Sequence, residues 1–401
     1  MRILFLIGNG FDINLNLDTS YANVLEDYIK LDPPNEIIGN FQNELKNNKS
    51  VWWSDFEYQI GQYIKTFDDN NITDFYAQFS HFREFVVTKF MNEEERIDYT
   101  KYKDNIPEIF MNSIASFYIT LLDSSKNKIL DLIRGNDNVF RYSFITFNYT
   151  NALNNIIEIS KTFYKDTSFA LPITEINNKK YYHHLANIVP VHGTLRKDFI
   201  MGVDNVTQIN NELLKTNPKL QRTIIKPKTN EILGRNGVKD AERYIRTSKI
   251  ICIFGMSIGR TDKTWWDHII KWLLGNDKRH LIIFYFSSDF SPIFPDKYFE
   301  VMDKVIDDLF AIINPISDTD KKKIINRIHI TPDLRYMFKM NILKKDVVLT
   351  SENKRNINIH PMAITAPKAI EQVNQASKIL NKSGIKQFNI FTEKIRKIFP
   401  F

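Results

Sequence analysis

The chain has 401 residues, 43% hydrophobic and 25% charged, with 13 Gly and 14 Pro. That composition excludes a disordered, collagenous or low-complexity protein and supports a large buried core. No apolar run approaches the roughly 20 residues of a membrane-spanning helix, and a single cysteine, Cys252, excludes an intrachain disulfide and a cysteine-rich zinc module. The opening apolar stretch ends at Gly8-Asn9-Gly10 before any small-residue cleavage site, so a cytoplasmic protein without membrane contact is expected.

The net charge of +7 is unevenly spread: residues 320–401 hold 17 Lys+Arg against 6 Asp+Glu, and residues 1–319 hold 37 against 41. A main domain over 1–319 with a basic extension over 320–401 is expected. The extension lacks the interleaved aromatics and clustered Arg of a nucleic-acid groove, so a solvated helical face explains it more simply. Contact with nucleic acid or an acidic partner is the alternative.

Six apolar runs read as buried strands: residues 3–7, 142–147, 188–191, 249–254, 280–286 and 327–330. Near-continuous apolar runs, mostly followed by polar turns and helical periodicity, predict a Rossmann-like α/β fold, its mainly parallel sheet covered by helices on both faces. After the first run, Tyr21, Val24, Leu25, Tyr28 and Ile29 mark a helix starting near Thr19, with Thr19 or Ser20 as cap. Three aromatic stripes follow at helical spacing: Trp53-Phe56-Ile60-Ile64-Phe67, Phe75-Phe79-Phe82-Val86-Phe90 and Ile106-Phe110-Ile114-Phe117-Leu121. They predict an inserted helical subdomain over about 40–135. Leu153, Ile156 and Ile157 open a helix behind the second strand. Trp265, Trp266, Ile269, Ile270 and Leu273 mark another behind the fourth, entered through Thr261 or Asp262 and closed by Gly275.

Four polar turns follow these strands. In Gly8-Asn9-Gly10-Phe11-Asp12 two glycines permit a sharp turn that brings backbone N–H groups to a phosphate, although Ile13 stands where a dinucleotide fingerprint has its third glycine. Asn148, in Phe147-Asn148-Tyr149-Thr150-Asn151, has one acceptor and two donors suited to ribose hydroxyls or a water. His192, followed by Gly193, is a candidate general base near neutral pH. Gly255-Met256-Ser257-Ile258-Gly259-Arg260-Thr261-Asp262 offers a second phosphate or ribose loop. Each has an ordinary structural explanation as a turn, a cap or a hydrogen-bonded histidine. Together they would converge on the carboxyl edge of one sheet, where open α/β sheets bind ligands. In Tyr181-Tyr182-His183-His184 the adjacent histidines of an extended segment face opposite ways, which makes a poor metal clamp.

Leu6-Ile7-Gly8-Asn9-Gly10-Phe11-Asp12, Thr19-Ser20-Tyr21, Trp53-Ser54-Asp55-Phe56-Glu57, Phe147-Asn148-Tyr149-Thr150 and His192-Gly193, in that order, resemble the AbiH-type bacterial abortive-infection family over roughly residues 1–280. More distantly the series is similar to the sirtuin-type NAD-binding fold. It departs from that pattern at Thr150, where an aspartate is usual, and at Asp12, where Ser or Thr is usual. The resemblance implies an anti-phage effector that hydrolyses the N-glycosidic bond of NAD or a related nucleotide, without a metal. It implies Asn148 and His192 as catalytic and Gly8, Gly10, Gly255 and Ser257 as nucleotide-binding; Asp12 and, from the inserted helices, Glu57 join the catalytic candidates, and Asn9, Phe11 and Asp262, in the same turns, join the nucleotide-binding ones. The alternatives are a nucleotide sensor that switches a partner (a phage component, another protein or a second copy) and a nuclease using Asp12 and Glu57 with magnesium.

Overall fold

The computed structural model describes residues 1–344, apart from 167–172, 177–178, 289 and 292. Its centre is one sheet of β1 (Arg2–Ile7), β2 (Val139–Thr146), β3 (Ile173–Ile176), β4 (Lys179–Pro190), β5 (Ile250–Phe254), β6 (His280–Phe284) and β7 (Ile328–Thr331), in the order β3-β4-β2-β1-β5-β6-β7. The six strands from β4 to β7 run parallel, in agreement with the Rossmann-like expectation, and β3 lies antiparallel along β4.

Strand pleating divides the core. Ile3, Phe5 and Ile7 face one buried cluster with Phe110, Ile156 and Phe338, while Leu4 and Leu6 face the other with Ile245, Trp266 and Leu309. Burial on both faces is why the central strands read as continuous apolar runs. β4 starts well before residue 188 because its burial is interrupted along the strand: Tyr181 and His183 are buried while His184 is exposed, so no long apolar run marks its first half. β3 was not expected, since four residues carry too little pattern.

Between β1 and β2 the chain is helical. A five-residue helix, Gly10–Asn14, directly follows the glycine turn, correcting the expected start near Thr19; Tyr21–Tyr28 comes next, with the Ser20 hydroxyl accepting from Asn23 N. The first aromatic stripe is broken at Asp55, whose carboxylate caps the separate helix Phe56–Tyr63. The second lies within Ile72–Glu95, and its Phe82 ring stacks on Phe56 at 4.3 Å. The third outlasts its helix, Asn105–Ala115, because Phe117 and Leu121 are buried from the turn that follows. A third hydrophobic cluster joins the helices Tyr21–Tyr28, Phe56–Tyr63 and Ile72–Glu95 to Tyr149, Leu195, Met201, Val203 and Ile224, which follow β2 and β4, so these helices cover the carboxyl edge of the sheet, while Asn105–Ala115 packs in the first cluster.

At the other end, β7 pairs with β6, and Met337, Phe338, Met340 and Ile342 are buried. The rest of the basic extension, 345–401, lies outside the described residues. Among those described, no helix is long and apolar enough to cross a membrane.

Candidate functional site at the carboxyl edge

The order of connection reverses at β1, with β2 and β4 on one side and β5 to β7 on the other, so the turns after β1, β2, β4 and β5 border the same crevice. The glycines bring the first and last of these turns into backbone contact. A Cβ on Gly8 would lie 2.5 Å from the Gly255 carbonyl oxygen, and one on Gly10 would lie 2.5 Å from Gly255 Cα. Gly8 N–H donates to the Phe254 carbonyl at 3.0 Å and Gly10 N–H to the Gly255 carbonyl at 2.8 Å. In this arrangement neither N–H is free for a phosphate. Asn9 closes the turn instead, exchanging hydrogen bonds with the Thr19 carbonyl (2.8 Å) and hydroxyl (2.7 Å). Phe11 sends its ring into the core against Phe338, 5.3 Å away, and its N–H to the Gly8 carbonyl.

Asp12 is buried on the carboxyl side of β1 and β2. One carboxylate oxygen accepts from Asn148 Nδ2 at 2.9 Å and the other from the Thr150 hydroxyl at 2.8 Å. Burial pushes Asp12 up to about 7 against those two hydrogen bonds, with Glu94 adding to the rise. The two departures from the sirtuin pattern therefore face each other: an acceptor at 12 and a donor at 150 form one pair, where aspartates at both positions would oppose two carboxylates. Asn148 keeps its Oδ1 sealed from solvent and without a hydrogen-bond partner among the described residues.

Residues 148 to 150 alternate sides. While Asn148 and Thr150 meet Asp12, the Tyr149 hydroxyl reaches Glu57 at 2.8 Å, and Tyr21 donates to the same oxygen at 3.0 Å. Burial, reinforced by Glu57, holds both tyrosines well above their ordinary range, so they remain donors. The other Glu57 oxygen accepts from Lys226 Nζ at 2.7 Å. Lys226 is 3% exposed; burial works to lower it, but Glu57 and Asp262 outweigh burial and hold the ammonium above the usual lysine range. Its Nζ also lies 3.5 Å from Asp262 Oδ1, which in turn lies 3.9 Å from His192 Nε2. Burial and the Lys226 charge push His192 well below its ordinary value, leaving a neutral imidazole, its ring 5.4 Å from Phe147. The chain leaves His192 through Gly193 at φ +77°, where a Cβ would meet the Asp198 carbonyl.

Asp262 precedes the helix Lys263–Leu274, but its side chain does not cap it. Asp204, far away in sequence, accepts from Thr264 N at 3.0 Å and from the Thr264 hydroxyl at 2.7 Å. The helix is entered through Asp262 as expected, but Asp204 supplies the capping carboxylate, and Asp262 faces Lys226 instead. Burial pushes Asp262 up to about 6, against the nearby ammonium.

Of the residues singled out in the sequence, Asp12 and Asn148 share one hydrogen-bonded layer, and Glu57, His192 and Asp262 converge on Lys226. Gly8, Asn9, Gly10 and Gly255 build the turns beneath; Ser257 is exposed, and the Phe11 ring is directed into the core. Lys226 went unrecognised. In Ile225-Lys226-Pro227-Lys228 nothing separates it from a surface lysine, and its partner lies 169 residues away. Asp204 was missed for the same reason.

A family model described as "Bacteriophage abortive infection AbiH" matches residues 4–285. No curated protein matches the chain.

Proposed function

The chain belongs to the AbiH family of bacteriophage abortive infection, and we propose that it acts there by hydrolysing the N-glycosidic bond of NAD or a related nucleotide. The observation that supports this reading best is the sealed, unpartnered Asn148 Oδ1. Asn148 Nδ2 is spent on Asp12, so what remains is an acceptor, matched to a ribose hydroxyl. The surroundings agree: buried Asp12 and Glu57 and partly buried Asp262 outnumber Lys226. Such a site favours the hydroxyls and cationic nicotinamide ring of the nucleoside over a phosphate.

Nicotinamide joined to ribose is already a cationic leaving group. The residues need to hold the sugar, exclude bulk water and present one water to C1′. Asn148 holds the sugar, the aromatic helices over the sheet edge exclude water, and neutral His192 accepts from the attacking water. Purified protein incubated with NAD is expected to release free nicotinamide, His192→Ala to lose about 100- to 10,000-fold in turnover with near-unchanged affinity, and Asn148→Ala to lose both. Folded His192→Ala that depletes NAD as fast as the wild type overturns the reading.

A further inference from the structure

The buried carboxylates of the site are not equivalent. Both oxygens of Asp12 and of Glu57 are committed to protein donors. Asp262 Oδ1, by contrast, is sealed from solvent and accepts no hydrogen bond from the described residues. His192 Nε2, 3.9 Å away, is too far to bond it directly. A single water would donate to both atoms at about 2.8 Å each once the site opens to admit it, since Oδ1 has almost no solvent-accessible surface in this arrangement. We propose that Asp262 is the base for the attacking water, which is held between Asp262 Oδ1 and His192 Nε2, with Lys226 as the residue that fixes the Asp262 charge.

The proposal rests on the glycosidic-hydrolysis reading and assigns its proton transfer. The C1′–N bond breaks first, its electron pair passing to the nicotinamide nitrogen and cancelling that positive charge, and the water oxygen then bonds to the oxocarbenium-like C1′. The water proton moves to Asp262 Oδ1 and from there to solvent. His192 accepts the other O–H and orients the oxygen. Lys226, 2.7 Å from Glu57 Oε2 and 3.5 Å from Asp262 Oδ1, keeps Asp262 ionised although it is surrounded by Glu57, Asp204 and Asp55.

Hydrolysis and base exchange separate this role from a structural one, since incorporation of labelled free nicotinamide into NAD needs C1′–N cleavage but no deprotonated water. With the full chain, Asp262→Asn is expected to lose about 100- to 10,000-fold in hydrolysis while exchange stays within about threefold of wild type. Asp262→Glu should restore part of the rate, and wild-type hydrolysis should fall below about pH 6 while exchange persists. Hydrolysis unchanged in folded Asp262→Asn overturns the assignment, as does an equal fall in hydrolysis and exchange. Wild-type protein that neither hydrolyses nor exchanges NAD overturns the glycosidic reading instead, and the base role with it.

Discussion

The two ends of the sheet bury polar side chains on different terms. Toward the amino ends of the strands, His280 and His329 stack with ring centroids 5.2 Å apart and share an Nδ1···Nε2 hydrogen bond of 2.9 Å, and His183 meets the Tyr142 hydroxyl at 2.7 Å. None of these four side chains carries a sealed polar atom without a partner. At the carboxyl edge, Asn148 Oδ1 and Asp262 Oδ1 are each sealed without a hydrogen-bond donor among the described residues, although Lys226 Nζ lies 3.5 Å from Asp262 Oδ1. An unsatisfied buried group costs about 1–3 kcal/mol, which these four side chains avoid by pairing and which a bound donor would relieve at the carboxyl edge. Burial of a histidine or a carboxylate is thus a poor marker of a site in this protein; what sets Asn148 and Asp262 apart from these four side chains is an acceptor left without a hydrogen-bond donor.

Breaking the carboxyl-edge network at the buried Lys226 ammonium should have the largest effect. Lys226→Met leaves Glu57 buried and uncompensated and is expected to cost about 3–5 kcal/mol in urea denaturation at pH 7. The double variant Glu57→Gln with Lys226→Gln, whose amides can hydrogen-bond, should recover more than half of that. A single-variant loss below 1 kcal/mol, on the order of a surface pair, would erase the distinction between this network and a surface ion pair.

A smaller effect is expected at Asp12. Asp12→Ala strands two buried donors, Asn148 Nδ2 and the Thr150 hydroxyl, and should cost about 1–3 kcal/mol. Asp12→Asn keeps an acceptor for Asn148 and can donate to Thr150. Because burial raises Asp12 to about 7 in the folded state, its contribution is most favourable below its ordinary value of 3.8 and is lost as pH rises toward 7. Melting curves of Asp12→Asn should therefore improve relative to wild type between pH 4 and 7. A constant difference would place the titration elsewhere.

The histidine pair tests the amino end and carries the smallest expected change. Burial lowers His280 to about 4 and His329 to about 3, so the stability tied to their neutral forms is present above about pH 6.5 and is lost as pH falls through the folded values. Replacing both with Phe should flatten stability between pH 6.5 and 5.5 by about 2 kcal/mol and leave NAD turnover at neutral pH unchanged. Lost turnover in that folded variant would mean that the two ends are coupled.

The parallel sheet was legible in the sequence because strands buried on both faces must be apolar at successive positions, as in residues 3–7 and 250–254. The turns holding Asp12, Asn148 and His192 were legible because they interrupt those runs at one edge, and Glu57 because it lies in a motif that the family resemblance supplied. β3 and the first half of β4 were not legible, since a partly covered edge imposes no continuous apolar run.

Composition, the strand pattern and local turn chemistry were thus decided by the sequence alone, since each depends on neighbours within a few residues. Only tertiary structure decided that Gly8 and Gly10 admit the backbone of Gly255, that Asp204 caps the helix beside Asp262, and that Lys226 is the ammonium between Glu57 and Asp262. These facts join segments between about 35 and 250 residues apart, and the energy of a buried charge depends on what the fold sets within a few ångströms of it, which no local pattern encodes.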